Sequence, residues 1–75
     1  MNAISGRNPV IEALRAGTPL DRIVLQAGTT GRPIEEIRSL AEARGIRVVE
    51  ADKERFREIG GSPTAQGVVA FATHR

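Results

Sequence analysis

The chain has 75 residues, of which 40% are hydrophobic and 27% are charged, and its formal net charge is +2. This length provides one domain with a modest core, and the apolar content excludes a disordered segment. The absence of cysteine excludes a disulfide framework and any thiolate metal site. All but one of the 11 basic residues are arginine, which suits phosphate recognition, although a GC-rich genome produces the same bias.

The first predicted elements are a short helix and a buried strand. Asn8 is a favoured N-cap for a helix over residues 8–16, and Pro9 at the first helical position has no N–H to leave unpaired. Gly17 is a suitable stop for this helix. Residues 22–26 contain a continuous aliphatic run, which is typical of a strand covered on both faces.

The middle of the chain predicts the longest helix and a second strand. The helix over residues 33–44 opens at Pro33 and ends at Gly45. Its apolar residues fall on one face and its charged residues on the other. Residues 46–50, Ile-Arg-Val-Val-Glu, predict a second strand.

The last part of the chain predicts a short helix and a third strand. Asp52 is a suitable cap for a helix through Ile59 that buries Phe56 and Ile59. Residues 67–72 are again apolar on both faces, and residues 2–5 add a short edge strand. Alternating helices and doubly buried strands predict an α/β fold, a three-layer α/β/α sandwich around a small mixed, mostly parallel sheet.

No catalytic or metal-binding constellation is recognisable in the sequence. The single histidine, His74, is next to the C-terminus, and residues 28–33 lack the lysine and hydroxyl pair of a phosphate loop. No apolar run approaches the roughly 20 residues of a membrane-spanning helix. The N-terminus lacks a signal-peptide pattern. We therefore expect no catalytic residue and no metal in this segment, no membrane partner and a cytoplasmic location.

Arg7 and Asn8 are the first candidate RNA-binding residues. They adjoin the amino end of the first predicted helix, where free N–H groups and the helix dipole attract phosphate. The Asn8 side chain offers a donor and an acceptor for a base edge or a 2′-hydroxyl. The alternative, which the local sequence alone favours, is that Asn8 only caps the helix and that Arg7 is solvated.

The other candidate RNA-binding residues are Gln66, Gly67 and Arg32. Gln66 would hydrogen-bond an unstacked base, and Gly67 would let a nucleotide approach the backbone. Arg32 precedes the second predicted helix and would contact phosphate. A turn in which Gly67 serves packing remains open, and the sequence does not decide whether the three segments share one rim. With no tyrosine or tryptophan, recognition would rest on arginine planes, backbone groups and shape.

Two motifs carry a resemblance to a known family. Residues 6–14, Gly-Arg-Asn-Pro-Val-Ile-Glu-Ala-Leu, resemble the opening "G-x-N/H-x-V-x-E-A-L" of the substrate-binding domain of SpoU-type RNA 2′-O-ribose methyltransferases. Residues 64–70, Thr-Ala-Gln-Gly-Val-Val-Ala, resemble the "H-Q-G-V-V-A" that closes this domain. The order of elements between them is also similar. The sequence departs at Ala65, where histidine is common, so a contact made by that histidine would be weaker or be left to Gln66.

The resemblance implies the fold of kink-turn-binding ribosomal proteins and a role in holding rRNA or tRNA. A separate C-terminal domain would bind S-adenosylmethionine, methylate a ribose 2′-oxygen and form the homodimer, with the isolated domain monomeric. Residues 1–75 would then be the RNA substrate-binding domain of a longer enzyme and would have no activity alone.

Two other functions stay open on the sequence. A free-standing kink-turn RNA-binding protein would also begin with Gly6-Arg7-Asn8 before a helix, and the length of the intact gene separates it from the methyltransferase. A protein–protein interaction or dimerisation module would show self-association that RNA does not alter.

Overall fold

Helices and strands alternate along the chain, of which the computed structural model describes residues 3–60 and 66–72. Within these residues there are four strands and three helices. Their bounds in chain order are β1 (Ala3–Ser5), α1 (Arg7–Arg15), β2 (Leu20–Gln26), α2 (Arg32–Arg44), β3 (Arg47–Ala51), α3 (Lys53–Glu58) and β4 (Val68–Ala72). Every predicted element is therefore present, with its ends displaced by one or two residues.

The start of α1 differs from the prediction. The helix begins at Arg7, and its N-cap is Gly6, with φ of 102°, so the prediction that Asn8 is the N-cap is wrong. The Gly6 carbonyl accepts a hydrogen bond from the Val10 N–H at 3.2 Å, which starts the helical pattern two residues earlier than the asparagine would. Asn8 consequently lies in the first turn with an exposed side chain.

The four described strands form one mixed sheet in the order β1-β4-β2-β3. Strands β2 and β3 are parallel, whereas β4 is antiparallel to both of its neighbours. The mixed sheet is as predicted, but the prediction that it is mostly parallel is wrong for its strand pairs, although β1, β2 and β3 share one direction. Because β4 runs against them and lies between β1 and β2, only the β2–β3 pair in this sheet is a parallel pair. An apolar run reports burial and not strand direction, so the sequence could not reveal this reversal.

The sheet separates two apolar clusters, which confirms the three-layer arrangement. The larger cluster joins α1 and α2 to one face of the sheet, where Ile23 and Leu25 are fully buried. The smaller cluster joins Phe56 of α3 to Val24 and Val69 on the other face. Strand alternation sends neighbouring residues to opposite faces, so both faces of β2 are covered.

The predicted cap of α3 is confirmed, and it provides a test of local stability. The Asp52 carboxylate accepts a hydrogen bond from the Arg55 N–H at 2.7 Å. We expect Asp52→Ala to lower the free energy of unfolding by about 1 kcal/mol, because one helix donor loses its partner. Urea unfolding measures this change. Asp52→Asn, which keeps a capping oxygen, should lose much less, and equal losses in both variants would contradict the capping role.

Candidate nucleic-acid interface

An open cleft of about 750 Å³ lies where the amino ends of α1 and α2 meet the carboxyl end of β2. Of the residues proposed from the sequence, Arg7, Asn8, Gln66 and Gly67 line this cleft. Arg32 does not line it, although it is the exposed first residue of α2 and adjoins the rim. The structure therefore brings three separate segments of the chain to one site, which the sequence left undecided.

Arg7 and Gln66 are held together by two hydrogen bonds. The Arg7 backbone N–H donates to the Gln66 side-chain oxygen at 3.3 Å, and the Arg7 Nε donates to the Gln66 carbonyl at 3.4 Å. The first bond gives α1 a cap from a residue distant in sequence, since Gly6 has no side chain. The Gln66 side-chain oxygen is thereby engaged, so this side chain would offer a ligand mainly its N–H donors.

The backbone before β4 has a left-handed conformation at two successive residues. Gln66 has φ of 56° and Gly67 has φ of 79°. A Cβ atom on Gly67 would lie 2.5 Å from Oγ1 of Thr29. The Gly67 carbonyl also accepts a hydrogen bond from the Gln26 N–H at 2.9 Å. Gly67 is thus required for close packing between the two walls of the cleft, which is the packing role left open by the sequence.

Three polar residues of the cleft were not predicted from the sequence: Gln26, Thr29 and Thr30. They follow the buried part of β2, and the segment was compared only with a phosphate loop, whose motif it lacks. The sequence feature that would have indicated these residues is a run of polar side chains directly after a strand buried on both faces. Such positions face the adjoining helix ends in α/β sheets, and ligands bind there.

The cleft offers mainly hydrogen-bond donors. Among the described residues that line it, Arg7 carries the positive charge and no carboxylate is present. Amide and hydroxyl groups supply the remaining polar contacts, and the amino ends of α1 and α2 add partial positive charge. This arrangement favours a ligand with phosphate, hydroxyl and carbonyl oxygens.

The described part of the chain carries neither a metal site nor a membrane-spanning helix. Residues 3–60 and 66–72 hold no group of three or more acidic, histidine or cysteine side chains that would bind a metal ion. None of the described helices has the length and apolar character needed to cross a membrane.

Together the fold and the cleft define a small α/β/α binding domain with an open polar site. Residues 3–75 match the family model SpoU_sub_bind, described as RNA 2′-O ribose methyltransferase substrate binding. The chain therefore belongs to the family of SpoU RNA 2′-O-ribose methyltransferase substrate-binding domains.

Two curated relatives agree with this membership. The chain is 42% identical over 53 residues to the 23S rRNA (guanosine-2′-O-)-methyltransferase RlmB of Ralstonia nicotianae, a match that covers 71% of the chain and 21% of that relative. It is 32% identical over 66 residues to an uncharacterized tRNA/rRNA methyltransferase of Mycolicibacterium gilvum, covering 87% of the chain and 21% of that relative. The chain thus spans about a fifth of the length of these relatives.

Proposed function

We propose that the cleft binds the RNA substrate of a ribosomal RNA 2′-O-ribose methyltransferase. The observation that carries this proposal is the convergence of Arg7, Asn8, Gln66 and two threonine hydroxyls in one cleft without a carboxylate. Membership of a substrate-binding family supports RNA as the ligand. The same membership favours this function over a free-standing kink-turn binder or a dimerisation module.

Ribosomal RNA is the substrate class that we propose in preference to transfer RNA. The more similar of the two relatives above is named for methylation of 23S rRNA, whereas the name of the other covers tRNA and rRNA together. Among the described residues that line the cleft, none is an aromatic side chain on which bases would stack. Recognition would therefore depend on hydrogen bonds to sugars, phosphates and base edges in a folded RNA.

The methyl transfer itself is assigned to polypeptide outside this chain. S-adenosylmethionine would supply the methyl group, and a homodimer of the longer protein in the cytoplasm would be the working form. The described residues do not fit this cofactor, because the cleft is open and polar and offers no enclosed apolar pocket for a nucleoside. The proposed role of this chain is to hold the RNA, and its residues would take part in no catalytic step.

The triple variant Arg7→Ala/Arg32→Ala/Gln66→Ala tests the binding site. We expect its affinity for RNA to fall by about 100-fold, because one charge-assisted hydrogen bond is worth about 1.5–3 kcal/mol. Fluorescence anisotropy with short overlapping transcripts of bacterial 23S rRNA measures the affinity. Arg32→Ala alone should also weaken binding, and it removes no hydrogen bond or ion pair seen among the described residues.

The control is Arg15→Ala/Arg38→Ala, which removes two charges from exposed ion pairs with Glu36 and Glu50. Exposed pairs contribute little to stability, so this variant should fold and bind RNA with nearly unchanged affinity. Equal affinities of the triple variant and the control would contradict the proposed site.

A further inference from the structure

The face of the sheet that carries α3 is only partly covered. Helix α3 has six residues, and Phe56 is its buried residue. The smaller apolar cluster groups it with the sheet residues Val24, Ala51, Val69 and Phe71. At the amino ends of β2 and β3 on this face, Arg22 is half-buried and Arg47 is exposed.

One row of side chains crosses this face of the sheet at the amino ends of β2 and β3. In the strand register, Arg47 lies beside Arg22, Arg22 beside Phe71, and Phe71 beside Ala3. Residues in register on neighbouring strands share a face, and Phe71 belongs to the cluster of the α3 face. Both arginines therefore lie on that face. We call Arg22 and Arg47 the arginine pair.

The guanidinium group of Arg22 packs on one side against the Phe71 ring and is exposed on the other side. It lies 4.7 Å from the centre of the Phe71 ring. Its only close carboxylate among the described residues is that of Asp21, at 3.8 Å, and the Arg22 side chain is still 39% exposed. A guanidinium stacked on an aromatic ring keeps its N–H groups directed outward, where they suit the oxygens of a phosphate.

Two positive charges in register on adjacent strands repel each other. The strands are separated by about 4.8 Å, so the two side chains lie on the same small surface. Arg38 is paired with Glu50, whereas Arg47 is exposed and forms no ion pair among the described residues. An anionic partner would remove this repulsion, and an RNA phosphate group has the matching charge and geometry.

We propose that the arginine pair forms a second RNA-binding surface, which contacts the phosphate backbone of the same RNA outside the cleft. This inference rests on the proposed function, because it takes the partner to be RNA. Arg22 and the cleft residue Gln26 are four positions apart on β2, or about 13 Å. Val24 lies between them and is covered by Phe56. An RNA segment leaving the cleft would cross α3 to reach the arginine pair.

The variant Arg22→Gln/Arg47→Gln tests this surface with the same 23S rRNA transcripts, titrated over a series of salt concentrations. We expect affinity to fall by about 10-fold at low salt. The slope of log affinity against log salt should become shallower by about 1.4, because each phosphate contact contributes about 0.7 on single-stranded RNA. Arg22→Lys/Arg47→Lys keeps the charges and should retain most of the slope.

The matched control is Arg15→Gln/Arg38→Gln, which removes two charges from exposed ion pairs on α1 and α2, the helices of the opposite layer. If the arginine-pair variant behaves like this control while the cleft variant loses binding, the second surface is overturned and the proposed function stands. If the arginine-pair variant loses binding and the cleft variant does not, RNA binds at the arginine pair and the cleft proposal fails. If the wild-type chain binds none of the transcripts, both proposals fail.

Folding of the arginine-pair variant is checked by urea unfolding. The relief of repulsion between two like charges and the loss of the Arg22–Phe71 contact act in opposite directions, so the unfolding midpoint should change little. If this variant loses RNA affinity but keeps its unfolding transition, the loss comes from the missing arginine–RNA contacts and not from a folding defect. A matching loss of affinity in the control variant would show a general charge effect and would overturn the second surface.

Discussion

Replacing Gly67 with alanine is expected to lower the free energy of unfolding by about 2–5 kcal/mol, from left-handed strain and from overpacking. Gly67 has φ of 79°, which disfavours any side chain. The new Cβ would lie 2.5 Å from Oγ1, 3.1 Å from Cγ2 and 3.3 Å from Cβ of Thr29. Rotation of the threonine side chain does not relieve the contact with its Cβ, so the backbone of one wall must move.

The control for this substitution is Gly17→Ala. Gly17 has φ of 78°, and a Cβ there would meet nothing within 4 Å. This variant therefore has the same backbone strain without the steric contact, and it should cost about 1–2 kcal/mol. Urea unfolding of both variants measures the difference. Equal losses would show that the contact between Gly67 and Thr29 does not contribute.

A second substitution, at Thr29, distinguishes the steric contact between the new Cβ at Gly67 and Thr29 from a general effect on the turn before β4. Thr29→Gly removes all three atoms that the new Cβ would meet. In the double variant Gly67→Ala/Thr29→Gly we expect about 1–3 kcal/mol of the loss to be recovered relative to the sum of the single variants.

Replacing Phe56 with alanine is expected to cost about 3–5 kcal/mol, because it leaves a large cavity under α3. Phe56 is the buried residue of this helix, and its exposed fraction is only 3%. A domain of this length has a total stability of roughly 4–11 kcal/mol. The substitution therefore removes a large share of the stability.

Local unfolding of the Phe56→Ala variant should begin in α3 and reach the cleft last. The cleft is built from α1, α2, β2 and the residues before β4, and no α3 residue lines it. Amide hydrogen exchange in Phe56→Ala should accelerate first in α3 and β3, while RNA binding at low temperature is retained. Ile59→Ala is the control, since Ile59 is only partly buried at the end of the same helix. Uniform acceleration of exchange across all elements would contradict a local role.

The local elements of the fold could be predicted from the sequence because their causes are local. The aliphatic run in β2 and the amphipathic pattern of α2 depend on residues within a few positions of one another. Asp52 caps α3 as predicted, through a donor three residues away. The start of α1 was misplaced because Gly6 and Asn8 are both acceptable caps, and the choice depends on how β1 leads into the helix.

The cleft could be predicted only in part. Each of its walls carries a signal in the sequence, and Arg7, Asn8, Gln66 and Gly67 all line it. The threonine segment carried a weaker signal, since Thr29 and Thr30 match no motif. Their role became visible through the contact between Thr29 and Gly67, whose two residues are far apart in the chain.

Local sequence patterns were enough to predict which segments become helices and strands, which of their faces are apolar, and which family the two glycine-containing motifs resemble. The entry of β4 between β1 and β2 in the reverse direction was visible only in the folded chain. This insertion places Gln66 beside Arg7 and arranges Arg47, Arg22 and Phe71 in one row. The physical reason is that helix and strand preferences act over a few residues, whereas strand order and direction follow from how the whole chain buries two apolar faces at once.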